Sequence, residues 1–195
     1  MTVPNYLIWA EDNQTPYVCE LDVYKGLDDD DIYALWQGRS LRAKFPADAE
    51  FHMNLDFPEN TVLADTLNNI RYLIIGSERL KSFLESQCLT EVEYLKVAIR
   101  DHKGKKAAHY YIVNPLEPID CIDHKASGTV FDTAIKTDVD RLKRLVLRDD
   151  KLEPERRIFR ISGYPNDILV REDLARAIGK AFRGIKFKKI KPGTK

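Results

Sequence analysis

Hydrophobic and polar positions divide the chain into short alternating segments and a few amphipathic helices. Tyr6-Leu7-Ile8-Trp9 is an apolar run of strand formers. From Tyr17 to Tyr24, the positions Tyr17, Cys19, Leu21 and Val23 alternate with Glu20 and Asp22. That pattern predicts a half-buried strand, ended by Gly26. Ile32, Leu35 and Trp36 follow at the spacing of one helix face, after Asp28-Asp29-Asp30-Asp31 and before Gly38. A short helix with an acidic first turn is expected there. Residues 40–69 contain Pro46, Pro58 and Asn60 with little periodicity, and read as loop with a short strand or helix. Ile70 to Ile75 reads as a buried strand. Ser77 is placed to cap a helix whose apolar face carries Leu80, Phe83, Leu84 and Cys88. Val92 to Arg100 and Ala107 to Val113 alternate on either side of Lys103-Gly104-Lys105, the clearest hairpin in the chain. Ile119 to Asp123, Thr129 to Phe131, Leu142 to Leu147 and Arg157 to Ile161 predict further strands, and Gly163 to Asn166 a turn. Asp167 to Val170 leads into a helix from about Glu172 to Phe182. Gly184 ends it, Ile185, Phe187 and Ile190 form a last strand, and Lys191 to Lys195 is a loose tail.

Two of these segments echo each other. Ile74 to Tyr94 reads strand end, Ser-Glu-Arg-Leu, amphipathic helix, then Val-Glu-Tyr; Leu169 to Phe187 reads strand end, Arg-Glu-Asp-Leu, amphipathic helix, then Ile-Lys-Phe. The alignment sets Leu80 against Leu174, Leu84 against Ile178 and Cys88 against Phe182. Val92 and Tyr94 then match Ile185 and Phe187 after a one-residue gap. Two copies are too few for a solenoid. The expected fold is α+β, a mostly antiparallel sheet with a few packed helices and two similar strand–helix–strand units.

The chain has 195 residues, of which 44% are hydrophobic and 32% charged, so it can bury a core and is not disordered. No apolar run approaches the ~18–20 residues of a membrane helix, and Met1 to Ala10 lacks the basic start of a signal peptide. Cys19, Cys88 and Cys121 would leave one thiol over in any pairing, which favours a reduced, cytoplasmic protein. The net charge is zero, but residues 1–65 carry 13 acids and 4 bases, leaving the rest of the chain at +9. This asymmetry argues against a uniform nucleic-acid binder and for two faces or halves of opposite potential. It sets a possible boundary between an acidic N-terminal region, 1–65, and a main α+β domain, 66–195, if these are not one continuous domain.

No P-loop, G-x-G-x-x-G, G-x-S-x-G or H-E-x-x-H pattern occurs, and no metal or cofactor is expected. Asp120-Cys121-Ile122-Asp123-His124 gathers carboxylates, a thiol and an imidazole. On a strand, however, Cys121 and His124 point to opposite faces, which does not suit a nucleophile and its base. The acids Asp28, Asp29, Asp30 and Asp31 read either as a helix start or, with Trp36, as a patch for a basic partner. Arg183, Lys186, Lys188, Lys189, Lys191 and Lys195 form a basic run that reads as an edge strand or as a nucleic-acid contact.

The two helix units and the Ile-Asp-Cys-Ile-Asp segment resemble the predicted immunity family numbered eleven, first catalogued as a domain of unknown function, of bacterial polymorphic toxin systems. The resemblance lies in Leu73–Leu95, Tyr110–Asp123 and Ile168–Phe187, mostly at packing positions. It implies a cytoplasmic, non-enzymatic protein that binds and neutralises a cognate toxin, and it brings no catalytic residues. Two alternatives stay open: a divergent enzyme using Asp120, Cys121, Asp123 and His124, and a nucleic-acid binder using the basic C-terminal run.

Overall fold

The computed structural model describes residues 5–87 and 91–190. In chain order, the first half contains β1 (Tyr6–Glu11), β2 (Glu20–Lys25), α1 (Asp29–Trp36), β3 (Glu50–Met53), β4 (Thr66–Asn69), β5 (Ile74–Gly76) and α2 (Glu78–Gln87). There follow β6 (Val92–Arg100), β7 (Lys106–Pro115), α3 (His124–Ser127), β8 (Val130–Phe131), β9 (Val139–Arg141), β10 (Ile158–Ile161), β11 (Tyr164–Arg171), α4 (Glu172–Ala181) and β12 (Ile185–Lys189). Six strands close a barrel in the order β2-β3-β6-β7-β5-β4, and a second sheet has the order β10-β11-β1-β12. Strands β8 and β9 form a separate ribbon. Pairing is antiparallel except for β2·β4 and β3·β6, so the fold is α+β and mostly antiparallel sheet.

The sequence echo corresponds to a shared topology. Strands β5 and β6 both run antiparallel to β7, which lies between them, and α2 connects them. Strands β11 and β12 both run antiparallel to β1, which lies between them, and α4 connects them. Each unit is therefore a parallel strand pair with a helical crossover and one antiparallel strand inserted. Leu80, Leu84, Leu174 and Ile178 are all fully buried in a single core between the two units, and Phe83 meets Phe182 there with ring centroids 5.1 Å apart. Burying each of these aliphatic side chains contributes about 1.5–3 kcal/mol. Ser77 caps α2, its Oγ accepting from Leu80 N at 3.2 Å. The partner of Phe182 in the echo, Cys88, lies outside the described residues, as do Lys191 to Lys195.

A second core fills the barrel around Leu21, Phe51, Leu67, Val97 and Ile112, and Ile32 and Leu35 of α1 enter it. A third lies on the other side of the four-stranded sheet, where Cys121 and Ile122 pack on Phe159 and Leu169. The units are joined at Asp65. Its Oδ1 accepts from Ser77 Oγ (3.0 Å) and Arg79 Nε (3.1 Å), and its Oδ2 from Arg79 Nη2 (2.6 Å) and Arg183 N (2.9 Å). Gly184 follows with φ +78°, and a Cβ there would come within 2.6 Å of Thr66 O, so a side chain at this crossing is excluded.

Several expected elements shift. The strand read over Tyr17–Tyr24 begins only at Glu20, because Tyr17 adopts φ +59° in a turn. The region 40–69 holds two strands, β3 and β4. The run Ile70–Ile75 is not one strand: Tyr72 turns with φ +52°, and only Ile74–Gly76 pairs. Ile119–Asp123 is not a strand either, being held by single bridges from Ile119 to Ile161 and from Ile122 to Leu147. In 142–147 no strand forms; β8 pairs instead with Val139–Arg141. The turn expected at Gly163–Asn166 is confined to Ser162 and Gly163, and Tyr164 already belongs to β11. No described helix is long and apolar enough to cross a membrane.

Candidate functional site

Asp28 is the N-cap of α1 and accepts from Asp31 N at 2.8 Å, while Asp31 Oδ2 accepts from Asp28 N at 3.4 Å. This reciprocal pair satisfies two amides at the helix start. Asp29 Oδ1 accepts from Tyr24 OH (3.0 Å) and Arg71 Nη2 (3.3 Å). Asp31 Oδ1 accepts from Lys44 Nζ at 2.7 Å, and that bond holds its carboxyl below the usual range. Asp30 is exposed and makes no side-chain hydrogen bond or ion pair among the described residues. Trp36 is half-buried against the barrel core, and its Nε1 donates to Arg71 O at 2.8 Å. The helix thus brings Asp29 and Trp36 together on Arg71: one binds its side chain, the other its carbonyl. Trp36 braces the helix against the turn after β4.

The cluster at 120–124 is dispersed. Cys121 is fully buried, and burial pushes its thiol up to about 12. Asp123 caps α3, accepting from Ala126 N at 2.9 Å. His124 Nδ1 lies 3.2 Å from Thr129 Oγ1, and its ring stacks near Phe131 at 5.0 Å. Since the segment is not a strand, the face argument made for it does not apply; burial of the thiol sets its chemistry instead. Among the described residues no three His, Cys, Asp or Glu side chains are grouped to hold a metal. The basic residues Lys186, Lys188 and Lys189 lie on β12, an edge strand, where lysines deter sheet-to-sheet pairing.

Three features escaped the sequence reading. Glu93 is fully buried in β6 and accepts from Ser40 Oγ, Leu41 N and Arg42 N, so it clamps the segment after α1 onto the barrel. Arg160 of β10 is buried and makes one side-chain hydrogen bond among the described residues, from Nη1 to Pro165 O at 3.1 Å, and burial lowers its guanidinium to about 10. A cleft of about 280 Å³ opens between β1 and the barrel, lined among others by Trp9, Glu11, Asn68, Tyr72, Asp167 and Lys188. Burial raises both its carboxyls, Glu11 and Asp167, and Lys188 partly offsets this. Glu93 had no signal in the pattern, since it sits between Val92 and Tyr94 where an exposed polar residue is expected.

The model of an immunity protein family, Imm11, matches residues 12–192 of the chain. No curated protein matches it.

Proposed function

We propose that this chain, which belongs to the Imm11 immunity protein family, binds a cognate bacterial toxin and neutralises it in the cytoplasm. The observation that carries this reading is the family match, which spans the barrel and, apart from β1, both strand–helix–strand units. In this reading neutralisation is stoichiometric: the protein occupies a toxin surface and turns nothing over. The acidic start of α1, Asp28 to Asp31 with Trp36 behind it, contributes to that surface. Of the four acids, Asp28 and Asp30 have no ion-pair partner among the described residues, whereas Asp29 and Asp31 are paired with Arg71 and Lys44; Asp28 is engaged in capping the helix, which leaves Asp30 the most available to a partner. A toxin of a polymorphic system that acts on nucleic acid has a cationic substrate cleft, and carboxylates presented to it imitate phosphates and steer encounter.

The enzyme alternative loses its nucleophile, since a thiol pushed to about 12 is almost wholly protonated near neutral pH. The test is protection. Where the gene next to the one for this chain encodes a toxin domain, bacteria expressing that domain should survive when the chain is co-expressed, and the two purified proteins should form a complex of fixed stoichiometry. Survival without complex formation would point to an enzymatic or indirect route and refute the binding reading.

A further inference from the structure

Strands β3, β6 and β7 form a stretch of barrel wall whose outer side is polar. Phe51, Leu95, Val97, Ile99 and Tyr110 fill the barrel, so the alternate positions Glu50, His52, Lys96, Ala98, Arg100 and His109 face outward. Ala98 pairs with His109 on one side and with Glu50 on the other. Its methyl group is the low point of this wall. A cleft of about 280 Å³ opens over it, lined among others by Asp48, Glu50, Lys96, Arg100, Lys106 and His109. Beside the cleft, Lys81 of α2 lies over the rings of Tyr94 and Tyr111, with Nζ 5.7 and 5.2 Å from their centroids.

Cations outnumber the acids that could balance them here. Glu50 is engaged: Oε2 accepts from Arg100 Nε at 2.6 Å, Oε1 lies 2.8 Å from His52 Nε2, and Lys25 Nζ is 4.0 Å away. Asp48 is exposed at the rim. Lys96 and Lys106 are exposed and make no hydrogen bond or ion pair among the described residues. Arg100 pairs with Lys106 in the ladder, and like charges so placed destabilise a sheet. The adjoining turn adds Lys103 and Lys105 against Asp101, whose Oδ1 accepts from both their backbone amides, and β2 adds Lys25 against Asp22 at its bulge. Cleft and margin thus hold six lysine or arginine side chains against four carboxylates, besides the imidazoles. His109 has Lys106 on its own strand, Lys96 on β6, and Glu50 and Asp48 on the far side of Ala98. Burial, then Lys106 and Lys96, hold its imidazole below the ordinary value.

We infer that this cleft binds a phosphate dianion, held over Ala98 by Lys96, Arg100 and Lys106 with His109 at its edge. The two ammonium groups are point charges suited to an oxyanion with several acceptor oxygens. Arg100 keeps both Nη groups for it, since among the described residues only its Nε is bonded. The volume admits the phosphate and some atoms of a carrier, but no helix or strand of a partner. A nucleic-acid strand would want aromatic faces for its bases, and Lys81 occupies those of Tyr94 and Tyr111. Such a site stands apart from α1 and does not depend on the immunity reading.

The wild-type protein is titrated with inorganic phosphate and, separately, with a nucleoside monophosphate, at low salt and followed by NMR of the imidazoles. Both should bind saturably at about 1 mM or tighter. A dianion beside His109 favours imidazolium, so its midpoint should rise by about half a pH unit or more on saturation, while that of His124 stays in place. Lys96→Thr with Lys106→Thr keeps strand-forming residues and relieves the like-charge pairing, so it should weaken binding at least tenfold without lowering the melting midpoint. Lys103→Ser with Lys105→Ser removes the same charge from the turn and should change affinity less than twofold. Equal losses in the two double variants, an unsaturable response, or a His109 midpoint that does not move would show diffuse attraction of anions and overturn the site. Tighter binding of the monophosphate makes its carrier part of the ligand, and equal affinities make free phosphate sufficient; either result upholds the site.

Discussion

Replacing Glu93 by glutamine keeps the shape of the side chain and changes one oxygen into a donor. In the folded protein Oε1 accepts from Ser40 Oγ (2.6 Å) and Arg42 N (3.0 Å), and Oε2 accepts from Leu41 N (3.1 Å) and Asn114 Nδ2 (3.4 Å). The serine hydroxyl can rotate to accept from an amide, but a backbone N–H cannot. Whichever way the glutamine is flipped, the amide of Leu41 or Arg42 faces another donor. One charge-assisted bond is lost, worth about 1.5–3 kcal/mol, and an amide left without an acceptor adds ~1–3 kcal/mol where water does not reach. Arg42 lies near the surface, where water relieves part of the cost, so Glu93→Gln should destabilise by ~2–4 kcal/mol. At ~2–4 °C per kcal/mol for a chain of this length, the midpoint should drop by roughly 4–16 °C. Urea unfolding followed by tryptophan fluorescence measures the loss, with Ser40→Ala as the partner in a double-mutant cycle. Because Glu93 is fully buried, raising the salt should leave the loss unchanged. A loss below about 1 kcal/mol would refute the clamp.

Leu84→Ala and Ile178→Ala should each cost ~2–5 kcal/mol in chemical denaturation, since both side chains fill the core between the units; losses below ~1 kcal/mol for both would contradict that packing. Cys121 should react slowly with a thiol reagent in the native protein and quickly after denaturation, and rapid native labelling would show that the thiol is not held as described. Burial pushes the Asp65 carboxyl up, but the bonds from Arg79, Arg183 N and Ser77 outweigh it and hold the group below its usual range. Its contribution is therefore complete above the unfolded value near ~4 and is lost as pH falls through the lower folded value, so the stability gap between wild type and Asp65→Asn should be constant from neutral pH to about 5 and shrink below ~4. A gap that does not change down to pH ~2 would show that Asp65 acts by packing alone. Asp30→Asn should slow association with the toxin domain at low salt and leave the melting midpoint unchanged; an unaltered rate would place the contact away from α1.

The elements legible in the sequence are those whose signal is local. Helix α4 announces itself through Leu174 and Ile178, the β6–β7 hairpin through alternation around Gly104, and α1 through its acids and the Ile32–Leu35 spacing. The echo between the helix units was legible because burying two helices against the same core demands the same spacing twice. The misread segments are those where burial and pairing part company. Ile70 and Tyr72 are apolar but exposed in a turn, and Ile119 to Ile122 are buried without a ladder. Of the candidate site, the four acids and Trp36 could be found from sequence, but not their partners, because Arg71 and Lys44 come from other elements. Glu93 stayed hidden for the same reason: the donors at Ser40, Leu41 and Arg42 lie more than fifty residues away and Asn114 lies on the neighbouring strand.

Strand β1 lies between β11 and β12, where Leu7 pairs with Val170 and Lys189. Of the described strands, β1 leaves the ribosome before the others and finds its neighbours last. Closing a loop of that size in an unstructured chain costs about 4–5 kcal/mol of entropy, which a previously folded barrel reduces by holding much of the intervening chain compact. All six barrel strands have been synthesised by Pro115, whereas β12 ends roughly 75 residues later, an interval of ~4–15 s during translation. Each nascent molecule thus spends seconds with Leu7-Ile8-Trp9 unpaired, an apolar strand without neighbours that chaperones or other nascent chains can capture. Sheet completion waits until β12 has been synthesised, so the yield of intact protein depends on how well that early strand is shielded during elongation.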